Sequence, residues 1–217
     1  MDFIKLLKAL GFKPLLAPFR PNGKALHVHG FRSRFLKTAT QNARLLKSIE
    51  RAELAMVGVD PAMTLTYRFE YKKVLGEQAI PNVQLPQEFL AQHTQTLSSQ
   101  KERFKAGHFQ LLPHCTEKTN AAGSITDWKT LFNALGQELD VLASGCCGMS
   151  GTYGHESRNK DSSKALFNLS WRQHVDAEGS ASTLLATGYS CRSQTKREAS
   201  KTLLHPFQAL LRQYQPD

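Results

Sequence analysis

Apolar residues recur along the chain in two rhythms, one helical and one of short continuous runs, punctuated by Gly, Pro and Asn. Residues 2–10 form the first helical stretch, which stops at Gly11. Lys13–Ala17 reads as a short strand. Pro18-Phe19-Arg20-Pro21-Asn22-Gly23 reads as a loop, because two prolines and Asn-Gly break either period. Phe31, Phe35, Thr38, Asn42, Leu45, Leu46 and Ile49 fall on one face of a helix that runs to Ala52. Glu53–Val59 has strand character, and Asp60-Pro61 opens another helix with Asp as N-cap and Pro in the first turn. Residues 76–87 read as loop around Pro81 and Pro86, and Gln87–Leu97 as helix.

Further on, a strand over Phe109–Leu112 leads to Pro113-His114-Cys115. A helix capped at Ser124 or Thr126 carries Ile125, Trp128, Leu131, Phe132 and Leu135, and Gly136 ends it. Leu139–Ala143 is a strand that runs into Gly145-Cys146-Cys147-Gly148-Met149-Ser150-Gly151. A helix covers Ser157–His174, a strand Thr183–Thr187, a helix opens at Gly188-Tyr189-Ser190-Cys191, and Leu204–Tyr214 is the last helix. This alternation predicts an α/β fold with mainly parallel strands in Rossmann-like units. Cys115, the Cys146-Cys147 pair and Cys191 each follow a predicted strand. The carboxyl ends of parallel strands share one edge, where ligands bind, so the pattern brings four thiols from distant positions to one place.

Composition narrows the class. The apolar fraction of 41% allows a core, and no apolar run reaches the roughly 18–20 residues that span a bilayer. The start, Met1-Asp2-Phe3-Ile4-Lys5, lacks the charged and long apolar regions of a signal peptide. A cytoplasmic protein, at most held at the inner face of the membrane, is expected. Four cysteines in such a compartment point to free thiols, metal ligands or redox groups rather than structural disulfides. The formal charge is +10, and Arg20 to Arg51 holds eight Lys/Arg against one acid, Glu50. Such a stripe serves as a solvated helix face or docks an anionic partner. No nucleic-acid motif accompanies it.

Four thiolates are the usual complement of a cubane iron–sulfur cluster or a closed zinc site. Adjacent cysteines diverge, which suits several irons better than one tetrahedral zinc. Gly145 and Gly148 are expected to permit unusual torsions and close approach of a bulky group, and their amides to donate to it. Cys191 opens a predicted helix, whose dipole favours the thiolate, and Arg192 and Lys118 add positive potential. His114 and His155 flank the cysteines and read as hydrogen-bonding neighbours ahead of the alternative, substitute ligands, with Met149 and Tyr153 as packing. Two other readings of the thiols are four buried small apolar residues and a thiol–disulfide centre, with Cys146-Cys147 or Cys115–Cys191 as the couple.

An internal repeat is also suggested. Ala9-Leu10-Gly11-Phe12-Lys13-Pro14-Leu15-Leu16 matches Ala134-Leu135-Gly136-Gln137-Glu138-Leu139-Asp140-Val141, which puts Pro21-Asn22-Gly23 on Cys146-Cys147-Gly148, and Pro61-Ala62-Met63 near Ser190-Cys191. Two units are expected: residues 1–100, a degraded copy cut short at its start, and residues 101–217, which keep all four cysteines.

His114-Cys115, the run from Gly145 to Glu156, and Gly188-Tyr189-Ser190-Cys191-Arg192-Ser193-Gln194 resemble the cysteine-rich CCG domain. That domain is shared by heterodisulfide reductases, iron–sulfur subunits of glycolate oxidase and anaerobic glycerol-3-phosphate dehydrogenase, and large bacterial FAD-linked oxidases of the D-lactate or D-2-hydroxyglutarate dehydrogenase type. Val57-Gly58-Val59-Asp60-Pro61 and Tyr67-Arg68-Phe69-Glu70-Tyr71 resemble the first CCG unit of the long fused oxidases, so the likeness covers nearly the whole chain. The resemblance implies a 4Fe-4S cluster on Cys115, Cys146, Cys147 and Cys191. It further implies a parent protein that oxidises a D-2-hydroxy acid at FAD and passes electrons to a quinone or cytochrome. The FAD-binding and ferredoxin-like domains of that parent would be the partners, and this chain would not turn over substrate alone. Gln194 stands where the broad pattern has a further cysteine, and Met63 where many relatives carry one in the first unit. The competing reading is a zinc-stabilised or metal-free docking domain of the same oxidoreductase.

Overall fold

A computed structural model describes residues 1–177 and 182–216. The chain is α/β, and its strands pair in parallel in two short sheets. The first half runs α1 (Asp2–Ala9), α2 (Lys24–Val28), α3 (Arg32–Arg51), β1 (Met56–Val57), α4 (Pro61–Arg68), α5 (Glu70–Leu75), β2 (Val83–Gln84), α6 (Pro86–Ala91) and α7 (Thr94–Ser98). The second runs β3 (His108–Leu112), α8 (Cys115–Asn120), α9 (Gly123–Ala134), β4 (Glu138–Val141), α10 (Lys160–Ser170), α11 (Arg172–Asp176), β5 (Thr183–Ala186), α12 (Tyr189–Ala199) and α13 (Pro206–Gln213).

The sheet β4-β3-β5 is the frame of the second half. Side chains alternate along a strand, and a parallel sheet buries both faces. Phe109, Leu111, Leu139 and Leu185 therefore enter one core, with Trp128, Leu131, Phe132 and Leu135 of the α9 region. Leu112, Leu184 and Ala186 enter a second core with Phe167, Trp171, Val175 and two of the cysteines, Cys147 and Cys191. The first core also draws on Leu6, Leu7 and Leu10 from the α1 region and on Leu90 and Leu97 from α6 and α7. Phe3 stacks on Phe207 at 4.4 Å between ring centres, so the amino-terminal helix docks on α13. A smaller core of Phe35, Ala39 and Tyr71 holds α3 against α5.

Several expectations shift in detail. Lys13–Ala17 forms no strand: Pro14 within it and Pro18 after it remove amide donors, no neighbour pairs with it among the described residues, and Leu15 and Leu16 are 80% and 77% exposed. The strand expected over Glu53–Val59 shrinks to β1, and its partner β2 lies in a stretch read as loop. The helix expected over Gln87–Leu97 divides into α6 and α7, and that over Ser157–His174 into α10 and α11. Neither Ser124 nor Thr126 caps α9, whose N-cap is Ala122. The duplication is not established by the sheets, which differ in size and order.

Candidate functional site

Three loops leave the carboxyl ends of β3, β4 and β5 along one edge. The first delivers Cys115 at the start of α8, the second Cys146 and Cys147, and the third Cys191 in the first turn of α12. All four thiols are free; Cys147 and Cys191 are buried, Cys115 and Cys146 half-buried. They lie side by side. Cys146 is influenced by Cys115 and Cys147, Cys147 by Cys146 and Cys191, and Cys115 by Cys146 and Cys191, so the four thiols are neighbours. The Cys115 thiol, then Cys147 and the amides of Gly148 and Ser150, hold Cys146 far below its ordinary pKa against the effect of burial. Cys115 and Cys147 are pushed up, chiefly by the same contacts seen from the donor side. Gly148 N donates to the Cys146 sulfur at 3.3 Å.

The glycines act differently from expectation. Gly148 does take a positive φ of +92°, but a Cβ there would lie 2.2 Å from the Ser163 carbonyl oxygen, so the close approach is by α10 backbone. Gly145 has no such torsion; its amide donates to Ser170 Oγ and its carbonyl accepts from Trp171 Nε1 at 3.2 Å. A third glycine stands close to a thiol: at Gly188 a Cβ would lie 3.0 Å from Cys191 Sγ and 2.3 Å from the His114 ring.

Polar side chains fix the three loops. His114 caps α8, accepting from Thr116 N at 3.1 Å, and burial lowers its pKa. Glu117 is fully buried beneath it. It accepts from His114 N at 2.9 Å, Gln87 Nε2 at 3.0 Å, Trp128 Nε1 at 3.2 Å and Thr187 Oγ1. One carboxylate therefore ties together the loops after β3 and β5, helix α9 and helix α6. Burial raises its pKa against these four donors. On the other side Ser163 Oγ donates to Gly148 O at 2.9 Å and accepts from Gln194 Nε2 at 2.9 Å, which fastens the Cys146-Cys147 loop to α10 and α12. Arg192 donates to Ala186 O and Thr187 O at 2.9 and 2.8 Å, closing the end of β5. Lys118 bonds Ser144 O.

His114, Gly148, Gly188 and Arg192 thus neighbour the thiols, Gln194 acts on them through Ser163 and the Gly148 carbonyl, and His155 is exposed on the turn Tyr153–His155. Sequence reasoning missed Glu117, Thr187 and Ser163. Glu117 had a signal, since it stands three residues after the N-cap His114 in capping-box spacing; Thr187 and Ser163 had none. Asp60 adds a link from the first half, capping α4 through Met63 N at 3.2 Å and accepting from Tyr189 N at 3.1 Å.

Among the described residues no group of three or more His, Cys, Asp or Glu side chains is disposed around a single metal ion. The thiol contacts run in sequence from Cys115 to Cys191, a donor set suited to a group with several metal atoms. In the first half Asn22 Nδ2 donates to Met63 O at 3.0 Å and lies 3.4 Å from Met63 Sδ. These residues border a cavity of about 870 Å³, together with Phe19, Lys24, Asn42 and Tyr67.

No family model matches the chain, and no solved structure matches it. Over 209 residues it is 46% identical to the D-2-hydroxyglutarate dehydrogenase of Pseudomonas putida, covering 96% of this chain and 20% of that protein. The D-2-hydroxyglutarate dehydrogenase of Escherichia coli is 45% identical over 97% of this chain and 20% of its own length. A component of the anaerobic glycerol-3-phosphate dehydrogenase of Escherichia coli is 28% identical, over 96% of this chain and 53% of that component. The resemblance carried by the cysteine motifs therefore extends over almost the whole chain, which spans about a fifth of the length of the D-2-hydroxyglutarate dehydrogenases it matches.

Proposed function

We propose that this chain is the iron–sulfur electron-transfer module of an FAD-linked D-2-hydroxy acid dehydrogenase, with Cys115, Cys146, Cys147 and Cys191 as the ligands of a 4Fe-4S cluster. The observation that carries the proposal is the meeting of four free thiols from three loops at one sheet edge. The names of the relatives support the oxidoreductase context. When bound, the cluster would supply one-electron transfer. The chain's own residues do the rest. Buried Cys147 and Cys191 keep water from one side. The Gly148 amide stabilises negative charge on Cys146, and Arg192 sets positive charge close to Cys191. Half-buried Cys115 and Cys146 form the open side, through which electrons would pass between the FAD-binding and ferredoxin-like parts of a parent protein and a quinone or cytochrome acceptor. In this reading the chain alone oxidises no hydroxy acid. Asn22 and Met63 would mark the vacated counterpart of the thiol site in a first, degraded CCG unit.

The test is anaerobic reconstitution with ferrous iron and sulfide, followed by visible absorbance and low-temperature EPR of the reduced protein. A cubane signal that disappears in Cys146→Ser is expected. Four titratable thiols with no cluster absorbance after reconstitution would sink the proposal. Stoichiometric zinc in the isolated protein would instead favour a zinc-held docking domain.

A further inference from the structure

The net positive charge of the chain is concentrated at its beginning. Residues 1–49 carry ten Lys and Arg and a single acid, Asp2, so nine of the ten net positive charges lie there. Only two of these cations reach a carboxylate among the described residues, Lys24 with Glu70 and Lys47 with Glu50. Lys5, Lys8, Lys13, Arg20, Arg32, Arg34, Lys37 and Arg44 are exposed and have no such partner. The same stretch leaves apolar side chains in solvent: Leu15 is 80% exposed, Leu16 77%, Phe19 91%, Val28 45%, Phe31 51% and Leu36 44%. Leu15, Leu16 and Phe19 stand on irregular backbone between α1 and α2, with Pro14, Pro18 and Pro21 stiffening it.

From these features we infer that residues 13–37 dock the protein on an anionic lipid surface. Charge complementarity is the first argument. A run of cations with no interleaved acid is repelled by basic surfaces, gains little from neutral ones and gains most from phosphate-rich ones. The exposed apolar residues choose among anionic partners. Against a nucleic acid, Leu15 and Leu16 would contribute nothing to phosphate contacts or to base stacking. A protein partner would need pockets matched to side chains held on irregular backbone. A bilayer interface accepts aliphatic and aromatic groups without a matched pocket, while the cations remain among the headgroups. Two weak signals together, charge and apolar insertion, are what reversible membrane attachment requires. This inference is independent of the thiol site, so the metal-free chain tests it and its outcome says nothing for or against the cluster.

The experiment is co-sedimentation of the whole chain with vesicles of phosphatidylcholine alone, and with about one third phosphatidylglycerol. Binding to the anionic vesicles only is expected, weakening as salt rises and the screening length shortens. Arg32→Glu/Arg34→Glu/Lys37→Glu should lower the partition at least about a hundredfold, in keeping with the contribution of each basic residue at such a surface. Leu15→Ser/Leu16→Ser/Phe19→Ser should also reduce binding while leaving every charge in place. A Phe19→Trp variant supplies a reporter: its emission should shift to the blue on anionic vesicles, whereas Trp128 and Trp171 are buried already. All these positions are exposed, and circular dichroism confirms that each variant folds. No sedimentation with anionic vesicles overturns the inference. So does binding indifferent to the apolar triple variant and matched by a soluble polyanion such as heparin, which would mark a plain cation-exchange surface. Tight binding to an acidic protein with none to vesicles overturns it as well.

Discussion

A methyl group on Gly148 would need the space held by the Ser163 carbonyl oxygen and a torsion of +92° that L-residues avoid. Gly148→Ala is therefore expected to cost on the order of 3 kcal/mol, as backbone strain and overpacking combine, and urea unfolding measures it. If the change proves neutral, the Cys146-Cys147 loop is not pinned to α10 as described. His205 makes a pH-dependent contribution. It caps α13 by accepting from Phe207 N at 3.2 Å, and burial, aided by the charge of Arg192, lowers its pKa to about 3. A depressed value in the folded state means that its contribution to stability is fully present above the ordinary pKa of about 6.5 and is lost progressively as pH falls toward 3. His205→Asn keeps an acceptor for the cap and cannot titrate. Its stability should fall less steeply than the parent's between those limits, as followed by thermal unfolding at a series of pH values.

At the scale of elements, helices with a continuous apolar face were legible: α1, α3 and α13, and α4 through the Asp60-Pro61 start. The residues after β3 were not. Cys115–Asn120 reads as Cys-Thr-Glu-Lys-Thr-Asn, with no apolar period, and it is helical because His114 and Glu117 form a reciprocal capping box at its N-terminus. β1 and β2 are two residues each and carry little pattern. The convergence of Cys115, Cys146, Cys147 and Cys191 was legible because each follows a strand, whereas Glu117 depends on partners up to 70 residues away that no local pattern reveals. Asp60 joins two elements at once, α4 as its cap and α12 through Tyr189 N. Asp60→Ala should destabilise by about 1–2 kcal/mol and speed amide exchange in the first turns of both helices. Faster exchange in α4 alone would show that the contact to Tyr189 does not restrain α12.

At the scale of the molecule, the two halves share a core, since α1, α6 and α7 pack with β3, β4 and α9. A ligand that binds only the folded state stabilises it by mass action. Reconstituted protein should therefore unfold at a higher temperature than the metal-free chain, and the difference should vanish in Cys146→Ser; an unchanged midpoint would mean that the loops gain nothing from the metal. The order β4-β3-β5 fixes which thiols are lost first. β3 is paired on both sides, and β5 is further tied by Ala186 N to Leu204 O at 3.0 Å, while β4 is an edge whose only strand partner is β3 among the described residues. Fraying begins at edges. A single opening of β4 would release Cys146 and Cys147 together, half the ligand set, leaving Cys115 and Cys191 in place. Any group held by all four thiols would then lose two of its holders at once and regain them when the same loop closes.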